Sequence, residues 1–208
     1  MGERAFLLQA AKDRASRAVA EVEARTSAEV VVSVRRVSGR YREADFLCGF
    51  LVALLALLAL LFLPQAFPLW VFVPDVALSF AAGAFACSRW PRLRRLLTPR
   101  SVRVENARLA ARAAFVEGGF SRLPGRNAIL VYVALFERRV EVVADLGIRA
   151  AALGATWREA VARLESSLRP RPDLESFVSA LVGLGAVLAE AHPRAADDVN
   201  ELPDEVTA

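Results

Sequence analysis

Two carboxylates stand where a small sheet would bring them to one end. Glu29 opens the apolar run at residues 28–34 (AEVVVSV), and Asp145 closes the run at 140–145 (VEVVAD). Arg126 lies just ahead of a third run, 128–135 (AILVYVAL). If the last of these strands runs antiparallel to the first, both acids and the arginine emerge at the same end. An Asp/Glu cluster offers hard oxygen ligands to Ca2+ or Mg2+, and a bound divalent ion would support phosphate-ester hydrolysis. The same residues also make a salt-bridged rim, which stabilises little and catalyses nothing. Nothing supplies an unambiguous third and fourth ligand. The rim, without a cofactor, is therefore the preferred reading, and the metal site built on Glu29 and Asp145 the alternative.

Other reactive side chains are few. The single histidine, His192, precedes Pro193 at the end of a helical pattern, and Ser–His or metal–His chemistry has no second partner for it. Lys12 is the lone lysine and sits in a charged helix, so no phosphate-binding loop has its lysine. Gly183 and Gly185 fall inside a helical stripe, where small residues permit close packing, whereas a dinucleotide loop must follow a strand. Cys48 and Cys87 lie near the ends of two long apolar stretches and would be neighbours if those stretches pair antiparallel. Buried cysteine in a reducing compartment is ordinarily a small apolar filler.

Those stretches dominate the chain. Residues 46–63 contain no charge, and a second apolar segment runs from 69 to about 88, where Asp75 is the only charge. As a helix the first is about 27 Å long, close to a bilayer's hydrocarbon thickness. A five-residue turn, PQAFP, joins them, so the expectation is an antiparallel transmembrane hairpin. Ala53, Ala56 and Ala59 are expected to face Ala77, Ala81, Gly83 and Ala84. Arg35, Arg36, Arg40 and Arg42 precede the hairpin; Arg89, Arg92, Arg94, Arg95 and Arg100 follow it, and the turn has no charge. Basic flanks remain cytoplasmic, which puts both termini there. Asp75 reads either as an intramembrane carboxylate on an ion path or, preferably, as a wet residue of the outer interface, the second span then starting a turn later.

Charge is uneven. Residues 89–128 hold ten Arg and two acids, while 129–208 hold eight Arg and thirteen acids. The basic segment, with Arg89, Arg92, Arg94 and Arg95 at its head, faces membrane lipid on this reading rather than nucleic acid.

About 160 residues remain outside the hairpin, enough for one cored domain. Residues 4–25 have helical periodicity and lead into the first strand. After the hairpin, Thr98-Pro99 offers an N-cap to a helix that stops at Gly118-Gly119. The second strand, a turn at 137–139 and the third strand follow. A helix with a Thr156-x-x-Glu159 capping box comes next, and a last helix lies between Pro172 and Pro193. The expected fold class is α/β, a small mixed sheet flanked by helices and interrupted by the two-helix hairpin. Residues 1–45 and 89–193 then form one split domain, 46–88 the hairpin, and 194–208 an acidic extended tail.

These patterns resemble the TPM domain family, in a bacterial membrane-inserted branch. The resemblance rests on Thr26-Ser27-Ala28-Glu29 before VVVSV, Gly125-Arg126-Asn127 before ILVYV, Glu137-Arg138-Arg139 into VEVV, and Asp145-x-Gly147-Ile148. It extends to the closing Asp198-Val199-Asn200-Glu201-Leu202-Pro203-Asp204. The family's members are variously described as acid phosphatases, photosystem repair factors and receptor accessory subunits, so the resemblance implies a fold more than an activity. The leading reading is a non-enzymatic accessory or assembly factor for another membrane protein in a bacterial inner membrane. The hairpin is too simple to transport, the domain lacks a catalytic set, and the acidic tail, with Asp198, Asn200, Glu201 and Asp204, suits docking. The alternative, which the resemblance permits, is a divalent-metal acid phosphatase built on Glu29 and Asp145.

Nine arginines flanking the hairpin and none in its turn predict that a reporter fused after Ala208 is active in its cytoplasmic form. Activity on the outer side alone would contradict that topology.

Overall fold

Valine sets the centre of the first compact unit, because β-branched side chains suit a pleated surface that is packed on both faces. The computed structural model describes residues 6–65 and 67–194, and divides the chain into Met1–Ser38 with Val104–Ala208, and Gly39–Arg103. Strand β1 (Glu29–Arg35) pairs in parallel with β2 (Ala128–Ala134), which pairs antiparallel with β3 (Arg139–Ala144), in the order β1-β2-β3. Seven α-helices are described: α1 (Gln9–Glu23), α2 (Arg42–Phe62), α3 (Leu69–Arg89), α4 (Pro91–Leu97), α5 (Arg100–Glu117), α6 (Gly154–Ser166) and α7 (Leu174–Ala191). The chain is thus a mixed α/β protein. The long excursion between β1 and β2 permits their parallel pairing, and the tight turn before β3 forces the antiparallel one. Arg138 takes a left-handed φ of 52° in that turn.

Helices cover both faces of the sheet. On one, Val19 and Val22 of α1, Leu164 of α6, and Phe177, Leu181, Leu184 and Leu188 of α7 pack on Val30, Val32, Ile129, Val131 and Val133. On the other, Ala107, Ala111 and Phe115 of α5 pack on Val31, Leu130, Tyr132 and Ala134. This is why AEVVVSV and AILVYVAL show no polar alternation. Each buried leucine contributes about 1.5–3 kcal/mol relative to exposure. Phe6 is buried edge-to-face on Phe177, with centroids 5.7 Å apart, although α1 itself starts only at Gln9. Gly185 lets α7 approach α1: a Cβ there would lie 2.5 Å from Val22 Cγ2, whereas Gly183 faces open space.

Two expected caps do not form. Thr156 Oγ1 donates to the Leu153 carbonyl at 2.9 Å, because α6 begins two residues earlier at Gly154. Thr98 Oγ1 donates to the Arg94 carbonyl at 2.7 Å and so closes α4 instead of opening α5. A cap that the sequence reading passed over is Asp173, whose carboxylate accepts the Ser176 N–H at the start of α7. The Ser176 hydroxyl, which also donates to it, is the main cause holding Asp173 below the usual carboxylate pKa, and the N–H bond adds to it.

The second unit is a helical hairpin of α2 and α3, closed by α4. Helices α2 and α3 are each 21 residues long. By length and composition alone, α2, α3 and α7 are apolar enough to cross a membrane, but the apolar face of α7 belongs to the core of the first unit. Two glycines set the α2–α3 approach. A Cβ on Gly83 would lie 2.8 Å from Val52 Cβ, and one on Gly49 would lie 2.7 Å from the Phe80 carbonyl. Phe46 stacks on Phe80 beside them, with centroids 6.2 Å apart. Of the alanines expected at this seam, Ala53 is buried and Ala56 and Ala84 half-buried, but Ala59, Ala77 and Ala81 are exposed. Helix α3 begins at Leu69 and carries Pro74 in its second turn.

Gly83→Leu should lower hairpin stability in detergent by about 1–3 kcal/mol through overpacking on Val52. An unchanged melting temperature would contradict the close approach. Val32 is 1% exposed and belongs to the shared core, so Val32→Asp should expose residues 104–190 to limited proteolysis along with the first strand. Equal protection in the variant would show that the two segments fold separately.

Candidate functional site

Strand register brings Glu29 and Asp145 to one end of the sheet, on either side of Ala128. Glu29 is level with Ala128 and donates its N–H to the Asn127 carbonyl at 3.1 Å; the Asp145 N–H reaches the Ala128 carbonyl at 2.9 Å. Their backbones are two strand spacings apart, roughly 10 Å. Arg126 Nη2 donates to Asp145 Oδ1 at 2.9 Å, and its Nε lies 2.8 Å from Oδ2 as an ion pair, Oδ2 itself accepting no hydrogen bond. Oδ1 also accepts the Leu146 N–H at 2.8 Å. The Asp145 side chain is 4% exposed and that of Arg126 is 44% exposed, so the carboxylate is sheltered while the guanidinium keeps part of its hydration.

The backbone around this pair is shaped for it. Arg126 sits at φ 50°, a conformation costly for a residue with a side chain, and two bonds hold it there. Its N–H donates to the Leu123 carbonyl at 3.1 Å, and its carbonyl accepts the Gly147 N–H at 2.8 Å. Gly147 has no alternative: a Cβ would lie 2.5 Å from the Arg126 oxygen. Asn127 Nδ2 donates to the Ser27 carbonyl and ties the β2 entry to the β1 entry.

The end of α7 closes over the same region. The His192 carbonyl accepts from Thr26 Oγ1 at 2.6 Å and from the Ser27 N–H at 3.1 Å, and its Nε2 is 3.1 Å from the Ile148 carbonyl. His192 is thus a brace between the residues before β1 and those after β3. Glu23, not singled out from the sequence, is buried at the end of α1, and its Oε1 accepts the Val30 N–H at 2.9 Å. Nothing in its spacing gives this away, because its partner lies on the outer edge of β1. Among the described residues, no group of three His, Cys, Asp or Glu side chains is placed to hold a metal ion. An open groove of about 570 Å³ between α6 and α7, lined by Arg163, Ser176, Ser179 and Gly183, includes neither candidate carboxylate.

A second buried polar group occupies the opposite end of the sheet. Glu137 accepts from the Ser38 N–H at 2.8 Å and from Ser38 Oγ at 3.3 Å, and Tyr132 Oη donates to Ser38 Oγ at 3.3 Å. Burial pushes the Tyr132 phenol pKa up, and this outweighs the Ser38 bond that pulls it down. The network fixes the chain as it leaves β1.

Within the second unit the four basic residues assigned to lipid divide. Arg89 and Arg92 are exposed, and Arg89 lies over the Phe85 ring, 5.8 Å from its centroid. Arg95 is half-buried. Arg94 instead forks onto Asp45, with Nε 2.9 Å from Oδ1 and Nη2 on Oδ2, and this contact raises its pKa further above the ordinary arginine value. The pair fastens α4 to the base of α2. Cys48 and Cys87 meet there as buried, unlinked thiols, and the Cys87 thiol lies 3.6 Å from the Ala44 carbonyl. Asp198, Asn200, Glu201 and Asp204 lie outside the described residues.

A scan against models of known protein families and a search of curated proteins find no match. Among solved structures the chain is similar to the NMR structure of BA42 protein from the psychrophilic bacterium Bizionia argentinensis. The TM-score is 0.56 at 15% identity, covering 97% of this chain and 94% of that one. At that identity the likeness is one of fold.

Asp145→Asn should destabilise the protein by about 1–3 kcal/mol, more than an exposed ion pair, because the charged acceptor of both Arg126 and the Leu146 N–H is lost. Denaturant unfolding checks this. Millimolar Ca2+ or Mg2+ should leave the melting temperature of wild type unchanged; a rise in wild type that the variant lacks would establish a metal site.

Proposed function

We propose that this chain is a membrane-anchored TPM-like domain, cytoplasmic at both termini, that acts by contact as an accessory or assembly factor for another membrane protein. The observation that carries this is the outer surface of the α2–α3 hairpin. Phe62 is 82% exposed, Leu69 86%, Trp70 74% and Leu78 70%, and no charged side chain interrupts them but Asp75. Such a surface is far larger than the scattered apolar residues of a water-facing protein. Lipid satisfies it, and basic residues at the base of the hairpin suit the anionic cytoplasmic leaflet. Arg89 and Arg92 are the exposed ones available for that contact.

The divalent-metal phosphatase is the second reading, and the geometry of Asp145 weighs against it. Arg126 hydrogen-bonds Oδ1 and lies 2.8 Å from Oδ2 as an ion pair, so a metal would have to displace a guanidinium already neutralising the carboxylate. Anchoring by contact requires no such displacement.

Alkaline carbonate extraction of membranes tests the anchor: the full chain should stay in the pellet. Phosphomonoesterase assay with and without Mg2+ separates the two readings. The accessory reading expects no turnover above that of Asp145→Asn. Metal-dependent turnover that is lost in both Glu29→Gln and Asp145→Asn would replace it with the enzyme.

A further inference from the structure

Helix α3 contains one carboxylate, that of the half-buried Asp75, and one of its oxygens finds no donor in the hairpin. Asp75 Oδ2 is buried and makes no hydrogen bond. The register that sets Gly83 on Val52 and Cys87 beside Cys48 brings Asp75 level with residues 57–60, Leu-Leu-Ala-Leu, which offer no side-chain donor. The turn at 64–68 holds one amide, Gln65, and no charge. A second acceptor lies one turn earlier. Pro74 is inside the helix and has no N–H, so the Trp70 carbonyl lacks its usual donor four residues on. Asp75 is six residues into α3, about 9 Å along the axis from Leu69.

We propose that Asp75 is the recognition point for one transmembrane helix of a neighbouring membrane protein, a helix that carries a lysine or arginine at matching depth. The proposal rests on the membrane-inserted reading of the hairpin and names the chemistry of its partner. In hydrocarbon an unpaired carboxylate is costly, and polar groups there mark contacts. The site presents acceptors only, so its occupant must donate; a basic side chain donates several hydrogen bonds and also cancels the charge. A second copy of this chain would instead bring a second carboxylate. Leu78, three residues on and on the same helix face, is 70% exposed, which leaves room for an apolar helix to lie alongside. The contact would be one of packing plus a single charge-assisted pair, a combination suited to specific but reversible assembly.

The test uses the full chain in phosphatidylcholine vesicles, with carbonate resistance checked first. The probe is a synthetic polyleucine helix bearing one lysine about 9 Å from its outer end, with an all-leucine helix as control, and association is read by energy transfer. Wild type should bind the lysine helix about tenfold more tightly than the control. Asp75→Asn and Asp75→Leu should both reduce that preference to none while remaining carbonate-resistant. Equal binding of the two helices by wild type, or a preference that survives in Asp75→Leu, would overturn the proposal and leave the anchor reading intact. So would self-association of wild type that disappears in Asp75→Leu, which would make the occupant a second copy. A chain extracted by carbonate would overturn both readings together.

Discussion

Some 30 Å of nearly uncharged helix surface has to be kept from water, and most features of the second unit follow from that requirement. Helices α2 and α3 can hide only one stripe each by packing on one another. Glycine at positions 49 and 83 narrows the gap until Val52 and Phe80 touch backbone, which removes the seam but leaves the outer leucines and phenylalanines uncovered. Lipid, as proposed above, is the medium in which that surface costs nothing. Apart from Asp75, the charged groups gather at the base, where Asp45 and Arg94 neutralise each other and hold α4 in place.

The first unit meets a different constraint. A three-stranded sheet with two parallel strands has no wet face to spare, so it needs helices on both sides. Helices α1, α6 and α7 supply one layer and α5 the other. A domain whose first strand is separated from its second by some ninety residues closes only because β1 is unusable without β2. The ends of the sheet are then sealed by side chains: Arg126 and Asp145 with Glu23 and the His192 carbonyl at one end, Glu137 with Ser38 and Tyr132 at the other. The likeness in fold to BA42 protein is consistent with an arrangement that tolerates extensive change in sequence.

Much of this was legible in the residues because it depends on local pattern. The strands, the left-handed stop at Gly119, the helices broken by prolines and the co-location of Glu29, Arg126 and Asp145 all follow from periodicity and turn chemistry. What was not legible depends on partners distant in sequence or on a choice between equal local options. Thr98 and Thr156 had the right type for an N-cap, but each hydroxyl found a carbonyl in the preceding turn. Helix α4 was hidden because its arginines read as a topology signal, although Pro91 at its first turn marked a helix start. Arg94 looked like its neighbours until Asp45, forty-nine residues away, claimed it. Glu137 read only as a turn residue and Glu23 as one more helix acid, since a single buried acid is recognisable only when its donors are known.

The protein carries a built-in depth gauge for the hairpin: its three tryptophans are Trp70 at the start of α3, Trp90 just beyond its end, and Trp157 in α6. Single-tryptophan versions in vesicles of brominated lipids, with bromines placed at successive depths, read each position separately. A membrane-spanning hairpin requires Trp70 and Trp90 to be quenched most strongly by bromines near the two interfaces, and Trp157 to be quenched by none. Quenching of neither Trp70 nor Trp90, or of Trp157 as strongly as both, would contradict a membrane hairpin carrying a water-facing domain.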